Sequence, residues 1–103
     1  MNTNENKIEK LIQQGESLTL EFKSDLKCLP DRELVAAVVA LANTDGGDLF
    51  LGVENDGAPT GLHANHFNVS GIPSLIANRT HPAISVRVEL CENQGKTVAR
   101  IIV

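Results

Sequence analysis

Ala42-Asn43-Thr44-Asp45-Gly46-Gly47-Asp48-Leu49-Phe50-Leu51-Gly52-Val53 is the stretch on which the fold turns. It begins at the tail of an apolar run, Leu34 to Ala42, whose side chains point to a helix apolar on nearly every face and so wrapped by protein. Asn43 to Gly47 ends that helix, with glycines supplying the left-handed backbone a helix C-terminus often needs. Leu49 to Val53 then runs without polar alternation. A strand of that kind is buried on both faces and belongs at the centre of a sheet. Gly52 breaks the run of side chains, which predicts a bulge or a close backbone approach there.

Working outward towards the N-terminus, Pro30 and Asp31 start the helix, which is expected from Arg32 to about Asn43. Asp31 serves as N-cap or as a first-turn acid favoured by the helix dipole. Ser24 to Leu29 reads as a loop. Leu18, Leu20 and Phe22 alternate with Thr19, Glu21 and Lys23, the period of a half-buried strand. Before it, Ile8, Leu11 and Ile12 place an apolar stripe on a short helix over residues 5–14, ended by Gly15, with Met1 to Asn4 frayed. Towards the C-terminus, Asn55-Asp56-Gly57 and Ala58-Pro59 are turns. A helix is expected around Ser70 to Arg79, with Pro73 in its first turn. Ile84, Val86, Val88 and Leu90 alternate as a third strand, and Asn93-Gln94-Gly95 folds the chain back into a fourth, apolar strand from Thr97 to Val103. The order is helix, strand, helix, strand, helix, strand, strand. The expected fold class is therefore α/β (α+β), a mixed sheet of about four strands with two or three packed helices.

The 103 residues, 42% hydrophobic, suffice for one domain with one core over residues 1–103. Aromatics are only 3%, so that core is aliphatic. An apolar ending at Ile101-Ile102-Val103 suggests the N-terminal part of a longer protein. The polar first thirty residues hold no signal peptide, and no apolar run reaches the ~18 residues of a membrane span. These features place the chain in the cytoplasm, with no membrane partner. Cys28 and Cys91 stand 63 positions apart with no metal-binding spacing and read as buried free thiols. His63 and His66 are three apart, but no third ligand lies nearby in a recognised spacing, and they read as surface histidines.

Three blocks carry a resemblance. Glu16-Ser17-Leu18-Thr19-Leu20-Glu21-Phe22-Lys23 resembles the opening of the Schlafen-type AlbA-like domain, also described as divergent AAA. Residues 42–53 resemble its second block, and Asp56-Gly57 with Gly61 continue the pattern. The resemblance implies an AlbA-like Schlafen core and a DNA-binding or otherwise nucleic-acid-associated domain of a transcriptional regulator, in a fold whose members tend to form homodimers. In animal relatives it implies a metal-dependent endoribonuclease. Matched residue by residue, the relatives' acidic triad falls on Glu16, Glu21 and Glu54, with Lys23 beside it and Asp56 as the alternative third acid. Such carboxylates would hold Mg2+ or Mn2+ and activate water. Whether the chain is an enzyme stays open. The same acids equally read as a surface ion pair of Glu21 with Lys23, a helix-terminal Glu16 and a Glu54 in a solvated turn.

The sequence argues against ATP. A phosphate-binding loop runs from strand through glycines into a helix N-terminus, whereas Gly46-Gly47 follows a helix and leads into a strand, with no Lys-Ser or Lys-Thr behind it. Nucleic acid would have to meet a chain of formal charge −4 with nine basic residues. Lys23, Lys27 and Arg32 cluster around one loop, and Arg79 with His81 sits at a helix end. The absence of Trp and Tyr argues against a single-strand base-stacking platform. Binding should be led by the phosphate backbone and weak for this segment alone. A protein-interaction or dimerisation module is the remaining alternative.

Overall fold

The computed structural model describes residues 3–103. Its elements are α1 (Thr3–Gln13), β1 (Leu20–Lys23), α2 (Asp31–Ala42), β2 (Asp48–Leu51), α3 (Ile72–Arg79), β3 (Arg87–Asn93) and β4 (Lys96–Ile102), with 3-10 turns at Ala64–His66 and Val69–Gly71. The helix and strand order is the one expected from the sequence. The four strands form one mixed sheet in the order β1-β2-β4-β3, with β1 parallel to β2 and the other neighbours antiparallel. The expectation for Met1 and Asn2 lies outside the described residues, and α1 already includes Thr3 and Asn4.

β2 is interior, and Leu49, Phe50, Leu51 and Val53 are fully buried. The reason lies on both sides of the sheet. Leu49 and Leu51 join Leu34, Val38 and Leu41 of α2, Ile72 and Ile76 of α3, and Ala99 and Ile101 of β4. Phe50 faces the other way, with Ile8 and Ile12 of α1, Leu20 and Phe22 of β1, and Val98. There Phe22 and Phe50 meet edge to face with ring centroids 6.4 Å apart. The core is aliphatic apart from these two rings.

Three local expectations are corrected. α2 is not wrapped: only Leu34, Val38 and Leu41 are buried, a single stripe at spacings of four and three, while Ala36 and Ala40 are exposed. Alanine favours the helix without needing a partner, so an apolar run overstated the buried face. Leu18 is 80% exposed, because Ser17 and Leu20 close a tight bridge before β1 begins. Ile84 precedes the strand, which starts at Arg87 and lies at a sheet edge, leaving Leu90 exposed.

The glycines act by closeness. Asp48 N–H donates to the Thr19 carbonyl at 3.0 Å, and Gly47 exchanges backbone hydrogen bonds with Val103 at 2.8 and 3.2 Å. A Cβ on Gly47, at φ +143°, would overlap the Thr19 carbonyl oxygen. Gly52, at φ +100°, ends β2 and accepts from Thr60 and Gly61, both at 2.9 Å. The close backbone approach expected at Gly52 is therefore with the segment after the turn. It folds residues 60–66 back towards the loop between β1 and α2.

Candidate functional site

Register fixes where the acids point. Glu21 pairs with Leu49 and Lys23 with Leu51, which puts both polar side chains on the α2–α3 face, at the open margin of the edge strand β1. Lys23 Nζ lies 3.5 Å from Glu21 Oε1, both about one-third exposed. Glu16 enters from the turn after α1, close enough to Glu21 for the two carboxyls to influence each other. Partial desolvation first, and then the Glu21 carboxylate, holds the Glu16 carboxyl above its usual range, while Lys23 opposes the shift. Glu16, Glu21 and Lys23 therefore form one group.

Glu54 lies beyond the end of β2, and its carboxylate accepts from the Thr60 hydroxyl at 2.5 Å. It is not among the charges that act on Glu16. Instead it lines an open hollow of about 360 Å³, together with Ser24, Lys27, Cys28, Pro30 and Glu33. Asp56 caps its own turn by accepting from Ala58 N–H at 2.9 Å. Of the basic residues, Lys27 and Arg32 are exposed on the β1–α2 loop and the first turn of α2, and Arg79 is exposed in the last turn of α3. α2 begins at Asp31, a first-turn acid, with Pro30 as N-cap and no side-chain cap bond.

A second cluster was not visible in the sequence. Asp25, in the same loop, has no solvent exposure. Its Oδ1 accepts from Leu29 N–H and its Oδ2 from His63 N–H, both at 2.8 Å. His66 Nδ1 lies 2.8 Å from both oxygens. A carboxylate already accepting two N–H bonds accepts again here, so Nδ1 is the donor and Nε2 is the ring nitrogen left for another partner. Cys28 Sγ stands 3.9 Å from Nε2 and 4.0 Å from Nδ1. The Cys28 backbone is in the left-handed region at φ 59°, in a turn closed by its N–H on Asp25 O.

The reading of His66 as a surface histidine is thus corrected: its side chain is 14% exposed, against a buried carboxylate. Its ligand-like neighbours come from a loop 38 to 41 positions away, where no local spacing reaches. The only sequence signal was an Asp-x-x-Cys in a loop that had no other reason to hold a buried acid. Cys28 and Cys91 are both free, as expected, but partly rather than fully buried.

No helix among the described residues is long and apolar enough to cross a membrane. No curated protein gave a match. Among solved structures, the DIP2311 protein from Corynebacterium diphtheriae superposes with a TM-score of 0.71 at 19% identity, covering 95% of this chain. The chain spans only 21% of that protein's length. The N-terminal domain of a RecG-related protein from Nitrosomonas europaea, whose name carries the words ATP-dependent DNA helicase, superposes with a TM-score of 0.70 at 26% identity. That likeness covers 100% of this chain and 73% of the other. The sequence profile described as "Schlafen, AlbA_2" matches residues 16–103, from the first acid of the edge group to the end of β4, and the chain belongs to that family.

Proposed function

We propose that this domain associates with nucleic acid through the phosphate backbone, as the DNA-binding part of a regulator, using the β1–α2 loop. The observation that carries the reading is the common exposure of Lys27 and Arg32 on that loop and the adjoining helix turn, with Lys23 at the end of β1. Family membership and the full-length likeness to a domain of a helicase-named protein support it. Arg100, by contrast, is committed to Asp48 at 2.9 Å and is not free for phosphate. Of the three phenylalanines, Phe22 and Phe50 are buried and only Phe67 is exposed, so stacking contributes little. Three phosphate contacts to a duplex predict an affinity that falls about 40-fold between ~50 and ~200 mM salt. Fluorescence anisotropy with labelled single- and double-stranded DNA and RNA measures it. Lys27→Ala and Arg32→Ala should each flatten the log–log salt slope by about one unit. Slopes unchanged in both variants would place the contact elsewhere, with Arg79 the next residue to substitute.

A second reading has its own observation, the paired carboxyls of Glu16 and Glu21. Two carboxylates crowded together, with oxygen donors only, suit a hard cation such as Mg2+ or Mn2+. When bound there, the cation would supply an activated water for phosphodiester cleavage. Glu54 would have to leave Thr60 to join them. RNA cleavage appearing with Mn2+ and lost in Glu21→Gln supports this reading, and cleavage that survives the substitution removes it.

For pairing of two copies, the β3 edge is the favoured route, since Leu90 there is 53% exposed on a strand whose outer edge is unpaired. Light scattering should give a dimer that Leu90→Lys dissociates. A monomer at high micromolar protein counts against it.

A further inference from the structure

We infer that Cys28 and His66 form a binding site for Zn2+, with Asp25 as the residue that positions the imidazole. This site is separate from the Glu16–Glu21 pair, and neither the nucleic-acid reading nor the nuclease reading depends on it.

The donor chemistry comes first. A thiolate with an imidazole is a soft-to-borderline set that favours Zn2+ over Mg2+ or Ca2+. One ligand atom each from Asp25, Cys28 and His66 lies within 4.8 Å of the other two, the only such group among the described residues. The distances within it sort the roles. Two ligands on one tetrahedral zinc, with a sulfur at ~2.3 Å and a nitrogen at ~2.0 Å, stand roughly 3.5 Å apart. Cys28 Sγ lies 3.9 Å from His66 Nε2 and 4.0 Å from Nδ1, so it stands beside the ring, and sharing an ion requires the Cys28 side chain to swing round towards the Nε2 lone pair. The same separation is long for a strong thiol–imidazole hydrogen bond.

Asp25 does not need to touch the metal. Both of its oxygens are engaged by backbone N–H groups, and it takes the Nδ1 proton of His66. A carboxylate holding one ring nitrogen so that the other faces a metal is the usual outer support of a zinc-bound histidine. Here that support is in place and fully buried. Cys28 also lines an open hollow, which leaves water free to reach the remaining coordination positions from that side.

The second cysteine is a built-in control. Burial first, and then the Glu89 carboxylate, pushes the Cys91 thiol up, which keeps it protonated and a poor ligand at neutral pH. Binding at Cys28 would clamp the β1–α2 loop to the 3-10 turn at Ala64–His66, two segments otherwise joined through Asp25.

The test is a titration of the reduced protein with Co2+, followed by displacement with Zn2+. The expected result is a saturable, one-equivalent near-ultraviolet band from cobalt–thiolate charge transfer, removed by Zn2+. That band should vanish in Cys28→Ser and persist in Cys91→Ser and in Glu16→Gln/Glu21→Gln. His66→Gln should weaken binding at least tenfold. Asp25→Asn should weaken it about 10- to 100-fold while the band keeps its position, as a positioning role requires. Because Asp25 is buried, its variant is read only where circular dichroism is native, and His66→Gln carries the test if it is not. A band that survives Cys28→Ser, or equal affinity in wild type and His66→Gln, overturns the inference. So does the lack of any saturable thiolate band.

Discussion

Glu16 is the residue whose titration reports on the edge group. Its carboxyl binds a proton more tightly in the folded chain than in the unfolded one, through partial desolvation and the nearby Glu21. The linkage sign follows. The folded state gains from this group at pH below the ordinary glutamate range, and the gain is lost as pH rises through the raised folded value. Above that window two like charges face each other with only Lys23 to offset them. In a pH titration of the side-chain carboxyl carbons by NMR, Glu21→Gln should therefore move the Glu16 midpoint down towards its ordinary value. An unmoved midpoint would leave desolvation alone as the cause. Glu21 and Lys23 were legible from sequence because strand alternation places residues two apart on one face, whereas Glu16 came from the family resemblance. Asp25 and His66 were not, because loops that Gly52 and Asp25 themselves fold together carry no periodicity.

At the scale of elements, a stripe and a glycine pair do most of the positioning. α2 lays Leu34, Val38 and Leu41 on the sheet and shows Ala36 and Ala40 to solvent. Leu34→Ala should cost about 2–5 kcal/mol in denaturant unfolding, whereas Ala36→Lys should stay within about 0.5 kcal/mol. The Asn43–Gly47 block reads in sequence as a helix stop, and that much is correct. Its second task is a tertiary one that no pattern of residues announces. Gly47 passes between the Thr19 carbonyl and the end of β4, where a methyl group has no space. Gly47→Ala should lower stability by roughly 2–3 kcal/mol, combining left-handed strain with the overlap. Gly71, at φ −81° with nothing near its missing Cβ, is the control, and Gly71→Ala should be close to neutral. Equal losses at the two glycines would show that backbone entropy, not the close approach, accounts for the first.

Over the whole molecule, the acidic balance counted against nucleic acid because a net charge was read without distances. The chain is 39 × 29 × 23 Å, and the strand order puts β3 three strands from β1, about 14 Å away at ~4.8 Å per strand. Near physiological salt the screening length is about 8 Å, so the acids of β3 contribute little at the β1–α2 loop. At ~50 mM salt it is roughly 14 Å, and they contribute something. Glu92 tests this, because its carboxylate only accepts from the Thr97 hydroxyl at 2.6 Å, and glutamine keeps an acceptor there. Glu92→Gln should raise duplex affinity by no more than about twofold at ~50 mM salt and leave it unchanged at ~200 mM, since two charges ~14 Å apart in water interact by only ~0.3 kcal/mol before screening. Lys27→Ala should weaken binding at both salt concentrations, because a direct phosphate contact is not screened by distance. If Glu92→Gln matched the loss from Lys27→Ala in size and in salt dependence, the interaction would be a diffuse field effect of the whole chain. The loop would then have no special claim to the nucleic acid.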